Sequence, residues 1–570
     1  MSHDRTRWLH VPLAVIAPLA LPAAAAPAPQ IQDAPPTRAA ASVDDAVLFL
    51  NRATFGASPD DIEFVVRAGY ARWIQRQVGM QPSLMLPTLR GMGCAPDQPG
   101  YSFFTCPNYE PDAHIERRLQ LWWEHAIAAD DQLRQRVAFA LSEIFVVSDR
   151  DALLGEFPST MADYYDTLVR GAFGTYRDLL EEVTLHPAMG TYLSMAKNRQ
   201  EDLVLGTRPD ENFAREVMQL FSIGLSMLDD SGELILDANG EPIPTYDQDV
   251  IKDMARALTG WTYRADYPPS ASLLQFLYTY PRIGRMVSWT AFHDPLDKTI
   301  VGGAYVPAFL YPEEDLALVL DALDAHPNVA PFMSKQLIQR LVTSNPSPEY
   351  VARISAVWND DGNGVRGNLL AVVAAILLDG EGLRGHEAWP DTFGKIREPI
   401  LRVTGVWRAF EAAPIVGFTP FIAEEYLGQR AQGSPSVFNF FSPTYTTGAL
   451  AAQGLVAPEL QITTHSRITR TANLLTYYIY EGNTTLADPG YTEPRFSIEP
   501  ARLQAGYPPA LVDFLDERLC GGEMSDATRQ LLEDHLLWVP YNVPGYPPGL
   551  FRALEGVNLV AISPDYAIQR

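Results

Sequence analysis

Apolar residues recur at three- and four-residue spacing along almost the whole of this 570-residue chain, and alternating runs are few. That period buries one side of a helix rather than one face of a strand. Well over a dozen segments show it. Capping chemistry agrees: Ser58-Pro59-Asp60-Asp61 offers a cap hydroxyl, a first-turn proline and two carboxylates near the positive helix end, and the pattern stops at Gly69. Residues 44–53 are expected to begin a helix at Asp44 or Asp45. Residues 368–378 (NLLAVVAAILL) are nearly all apolar and should form the most buried helix. Short polar loops join neighbouring segments, so consecutive helices should pack together. The predicted fold is mainly α, a large multi-helical array with long ordered loops and at most small β-hairpins.

Hairpin chemistry is confined to 228–249, where Asp, Gly and Asn-Gly mark turns, and to short strand candidates in 276–289 and 291–303. Residues 82–109 read as irregular and 418–455 as an ordered loop layer. The last three helices are expected to run to the C-terminus. No fixed-period repeat, no strand–Gly-rich-turn–helix fingerprint and no G-x-S-x-G elbow occurs.

Residues 1–28 carry Arg5 and Arg7, an apolar run over 9–21 and small residues over 23–28, the layout of a secretory signal peptide. The run is short for a membrane span, so no integral span is expected in the mature chain, and an uncleaved anchor is the alternative. Residues 29–43 then form a linker and 44–570 the helical domain, as one unit or as two lobes dividing near 262–312. Export to the periplasm or the medium is expected. It permits a Cys94–Cys106 staple and leaves Cys520 as a buried small residue. A formal charge of −26 removes nucleic acid as a default partner, because phosphates demand an excess of cations.

Candidate chemistry gathers in 162–224, where helices near 159–185 and 209–228 flank a polar loop. Glu182 and His186 lie four apart on one face, as do Asn212 and Glu216. With His293 they offer oxygen and nitrogen donors for a divalent metal (zinc, calcium or iron), or an acid–base pair. The plainer reading leaves Glu182 solvated and His186 capping the helix before Pro187, and a third pairs a carboxylate with Arg208 or Arg215.

Asn359, Asp361 and Asn363, followed by Gly364, resemble the start of a calcium loop. Leu370 stands where the closing acid belongs and Arg366 intrudes, so a polar turn is the simpler reading. Lys395, Arg397 and Glu398 suit anion binding or structural ion pairs. The strip Phe438-Asn439-Phe440-Phe441, with Tyr445, suits a groove for sugar or peptide, or a core.

Several stretches carry a family resemblance: LNRATFGAS (50–58), DQLRQRVAFALSEIFVVSD (131–149), RPDENFAREVMQLFSIGL (208–225), GKIREPILRVTGVWRAF (394–410), SPSVFNFFSPTY (434–445) and APELQI (457–462). The chain resembles, from about residue 44 to its end, the bacterial family known as domain of unknown function 1800. The resemblance implies an exported protein without an established activity, and another exported protein as partner. Phe292-His293-Asp294 is followed by Pro295, where many relatives have Thr-Gly. Two functional readings follow: a cell-envelope binding or assembly factor working with another exported protein, or a metal-assisted hydrolase of envelope or extracellular polymer.

Overall fold

Ser42, not Asp44 or Asp45, starts the first helix. Its hydroxyl accepts from Asp45 N while the Asp45 carboxylate accepts from Ser42 N, a reciprocal box that opens Val43–Ala53. The computed structural model describes residues 41–93, 111–265, 268–281, 283–412, 420–484 and 496–570. The expected signal peptide, residues 29–40 of the linker, and Cys94 and Cys106 lie outside these. Cys520 is buried and free. The described residues form 26 α-helical segments and three two-stranded antiparallel pairs, so the fold is mainly α with small, unclosed sheets. The described residues cluster as one unit.

The central stretch differs from its sequence reading. The helix expected near 159–185 is two helices, Pro158–Gly171 and Tyr176–Leu185. Thr175 is extended and its hydroxyl accepts from Asp178 N, so a new helix starts there. Gly171 permits the junction: a Cβ on it would lie 2.6 Å from Leu179 Cδ1. The helix expected near 209–228 ends at Gln219. Phe221 N turns back to Glu216 O, while Ile223 N and Gly224 N turn back to Met218 O. These longer-range bonds replace the four-residue ladder, and Gly224 at φ +70° turns the chain away. The irregular 82–109 segment contains a helix, Leu86–Met92.

Residues 225–245 form an arm of three extended segments bonded in a ring. Met227 N donates to Ile243 O, Ile243 N to Ile235 O, and Ile235 N to Met227 O. Buried Asn328 clamps its base, donating to Ile223 O and Ser226 O and accepting from Leu228 N.

Two features join distant parts of the chain. Aromatic rings run in contact from Phe55 through Trp122, Trp123 and Trp407 to Tyr478, each step between 5.1 and 5.5 Å. The C-terminus is not helical to its end: Ile568–Gln569 pairs with Lys395–Ile396. The Leu369–Leu378 helix, capped by Asn368, buries seven of its ten residues but is not the most buried, because Pro399–Ala409 packs on every side and buries all eleven.

Candidate functional site

The arm, the loop 437–444 and the Val329–Leu341 helix enclose an open groove of about 400 Å³. Leu225, Leu228, Leu234, Phe332, Phe438 and Phe441 make its apolar walls. Leu225, Leu234 and Phe438 are each more than half exposed on the rim, whereas Glu143, Gln336 and Arg340 lie buried at the floor. Gly224 sits at φ +70°, and a Cβ on it would come within 2.8 Å of Phe332, so glycine lets the ring form the wall. Of the aromatic strip, Phe438 and Phe441 line the groove. Asn439 points inward, and Phe440 and Tyr445 are half-buried.

Beneath the floor lies a cluster of six charges, none more than 4% exposed. Arg136 belongs to the Gln132–Ser142 helix and Glu143 caps its end. Arg340 comes from the Val329–Leu341 helix, and Lys395 and Glu398 from the turn into Pro399–Ala409. Glu459 comes from the short Pro458–Gln461 turn. Lys395 Nζ lies 3.0 Å from Glu459 Oε1, 3.6 Å from Glu398 Oε1 and 2.8 Å from the Arg340 carbonyl. Arg136 Nη2 donates to the same carbonyl at 2.6 Å, and Arg340 Nη2 to the Glu143 carbonyl at 3.0 Å. Gln429 donates to Glu398, and Asn439, from the groove loop, to Glu143 Oε1 at 3.2 Å. Ions this deep cost several kcal/mol each unless paired, and the pairing is partial: Arg136 Nε and Nη1, Arg340 Nε and Glu459 Oε2 have no hydrogen-bond partner among the described residues.

Glu143 departs furthest from ordinary behaviour. Burial, then the neighbouring Glu398 charge, pushes its carboxyl up to about 8, against the pull of Arg340 and Lys395. Two carboxylates in one buried cluster disfavour ionisation of both at once, which acts on Glu143 in the same direction as burial. Neither Glu143 Oε2 nor Glu398 Oε1 finds a hydrogen-bond donor among the described residues. Burial also raises Glu459. The floor therefore presents an acid that burial biases toward its neutral form, beside a guanidinium and under apolar walls.

Sequence reasoning found Lys395 and Glu398 as candidates for ion pairs, and they are ion-paired. It missed Arg136, Glu143, Arg340 and Glu459. The available signal was a charge inside a run with no solvent side, as in RVAFAL and LIQRLV.

The first candidates are placed as follows. Glu182 is gripped by Arg285, through Nε at 3.1 Å and Nη2 at 2.5 Å, rather than by Arg208 or Arg215. Those two arginines pair with Glu201 and Glu211. His186 caps the helix after it, Nδ1 accepting from Ala188 N at 3.1 Å, and its Nε2 lies 3.5 Å from Asp163. Asn212 is exposed at a helix start. Glu216 is buried, with Oε2 unpartnered and its carboxyl raised by burial. His293 belongs to a buried triad, Nε2 at 3.1 Å from Asp315 and Lys298 at 2.8 Å from the same carboxylate. Among the described residues no three His, Cys, Asp or Glu side chains gather as a metal would require. Because Glu182 and Arg285 are both about half exposed, Glu182→Ala should change stability by no more than about 1 kcal/mol in chemical denaturation.

In the calcium-like loop, Asp361 accepts from Asn363 N, Val365 N and Asn368 Nδ2, and Asn359 accepts from Arg366. These oxygens serve the turn before the Leu369–Leu378 helix, and Asn363 supplies a backbone donor to it.

No curated protein and no solved structure matches the chain. A family model described as protein of unknown function (DUF1800) matches residues 48–568. That span takes in the groove, its floor and every charge beneath it, and the chain belongs to the DUF1800 family.

Proposed function

We propose that the chain is a binding or assembly factor that holds an apolar segment of another exported protein in the groove. The observation that carries this reading is the rim. Leu225, Leu234 and Phe438 stand half exposed around an apolar cleft, and aliphatic surface is left open in this way where something covers it. The volume suits a few side chains of a partner. The acid and the guanidinium at the floor supply a polar contact without an exposed charge. Export of both proteins rests on the 1–28 pattern and on the family resemblance. The alternative, a metal-assisted hydrolase at Glu182, His186, Asn212, Glu216 and His293, has less behind it, since the side chains of Glu182, His186 and His293 are already engaged.

Site-specific photocrosslinking in the producing cell tests the proposal. A benzophenone side chain at Phe438 is expected to capture one predominant exported protein. The same probe at Asp321, on another surface, should not. Leu225→Lys and Leu234→Lys should each lower the yield at least about tenfold while leaving the denaturation midpoint unchanged, because both positions are exposed. Equal yields from both probe positions, or yields indifferent to the two lysines, would remove the groove as the docking site.

A further inference from the structure

A second surface, sharing no residue with the groove, carries a different chemistry. Between the short Pro187–Tyr192 helix and Asn212, the chain makes a closed loop in which Asp202 and Thr207 exchange backbone hydrogen bonds at 2.9 and 3.1 Å. The Asp202 carboxylate accepts from Val204 N and Leu205 N and so fixes the tip. That tip is Leu203-Val204-Leu205, exposed by 85%, 94% and 57%. Three consecutive aliphatic side chains on a convex turn gain nothing from water, and each gains about 1.5–3 kcal/mol on full burial.

Directly behind the tip is a cleft of about 320 Å³ lined by Lys197, Arg199, Arg208 and Leu277. Three cations share this cleft although the chain carries a net −26. Arg208 pairs with Glu201 at 3.3 Å, in solvent. Among the described residues, neither Lys197 nor Arg199 has a carboxylate partner. Lys197 instead lies over two rings, 5.3 Å from Tyr263 and 5.8 Å from Tyr280. Burial lowers the pKa of its ammonium, so the site favours an arriving anion. The backbone holds this arrangement at a cost: Ser194 and Lys197 both sit at positive φ, +61° and +69°, and Lys197 N is tied to Trp261 O at 2.7 Å. Around the cleft, Leu274, Tyr278 and Tyr280 are each more than half exposed.

We propose that this face docks on a phospholipid bilayer, with Leu203-Val204-Leu205 entering the acyl region and the Lys197–Arg199–Arg208 cleft taking a lipid phosphate. The composition of this face supports it. An exposed aliphatic tip, tyrosines with apolar bodies and polar ends, and a cluster of cations are the three chemistries that hydrocarbon, interface and headgroup call for. A protein partner would have to supply a pocket for the tip and an anion behind it, and a phospholipid supplies both in one molecule.

Vesicle flotation of residues 29–570 tests this. Omitting 1–28 keeps the apolar 9–21 run out of the result, and every described element lies beyond it. The chain is expected to float with phosphatidylcholine vesicles and several-fold more with vesicles containing phosphatidylglycerol. Val204→Asp should lower the bound fraction at least about tenfold, with an unchanged denaturation midpoint. Lys197→Gln combined with Arg199→Gln should abolish the preference for phosphatidylglycerol. Absence of flotation, or flotation indifferent to Val204→Asp, would overturn the proposal. Binding of inorganic phosphate in calorimetry, abolished by Lys197→Gln with Arg199→Gln, in a chain that does not float would also overturn it and assign the cleft to a soluble anion. Capture of a protein through position 204 without vesicle binding would overturn it in favour of protein docking.

Discussion

Lys395→Met is expected to destabilise the protein by about 3–5 kcal/mol, the cost of stripping one partner from a buried ion network. Methionine fills the same length of cavity, so the loss measures charge and hydrogen bonding rather than packing. Lys395 Nζ serves the Glu459 carboxylate, the Glu398 carboxylate and the Arg340 carbonyl, all out of solvent. Without it two carboxylates lose their nearest cation, and the Pro458–Gln461 turn loses its tie to the strand that pairs with the C-terminus. The measurement is guanidinium denaturation beside Glu182→Ala, the exposed-pair control. A second substitution, Glu459→Gln, should restore part of the loss in the Lys395→Met background, because it removes one stranded charge. Equal midpoints for wild type and Lys395→Met would show that the cluster does not bear on stability.

Stability should also fall as pH rises, in a manner that depends on Glu143. Its carboxyl is raised in the folded protein, to about 8, and titrates near the usual 4.5 once unfolded. Between those values the native state holds a proton that the unfolded state has released. The sign follows: stability present below pH 4.5 is lost as pH rises toward 8 and changes no further above it. One proton corresponds to about 1.4 kcal/mol per pH unit within that window. Asp166, raised by burial to about 6, bends the profile the same way over a narrower range. Glu143→Gln keeps the shape and the bond from Asn439 in amide form and has no proton to lose. Relative to wild type, it should gain progressively from pH 5 to pH 8. Parallel profiles would mean that the Glu143 carboxyl is not raised in the folded protein. The groove loop should respond too, since Asn439 at φ +62° is held there by Glu143.

Which parts of this were readable in the sequence follows from how local the determining interactions are. Ser58 caps the helix it was expected to cap, because a cap is settled within four residues. The break at 171–175 was equally local, with Thr175 three residues before Asp178, but the apolar period runs on through it and conceals it. The floor cluster was not local. Arg340 and Glu143 meet across 197 positions, and Lys395 reaches the Arg340 carbonyl across 55. Periodicity assigns a charged residue to the solvent side by default, and the Gln132–Ser142 helix is buried almost all round. The Ile568–Gln569 strand finds its partner at the far side of the sequence and leaves no pattern of its own. Glu182 lies on the Tyr176–Leu185 helix, but His186 is the extended residue that follows it, so the two do not share a helix face. Their partners came from Arg285, Asp163 and the chain's own next turn. Spacing says which residues share a face only while the helix continues, and not what that face meets.

The docking role of the groove is tested most directly by hydrogen–deuterium exchange on residues 29–570, with and without the protein captured through position 438. The groove reading requires slowed exchange over 225–228, 234–243 and 437–444, with little change along the 465–484 helix. Protection confined to other surfaces, with those three segments exchanging as in the free chain, would contradict it.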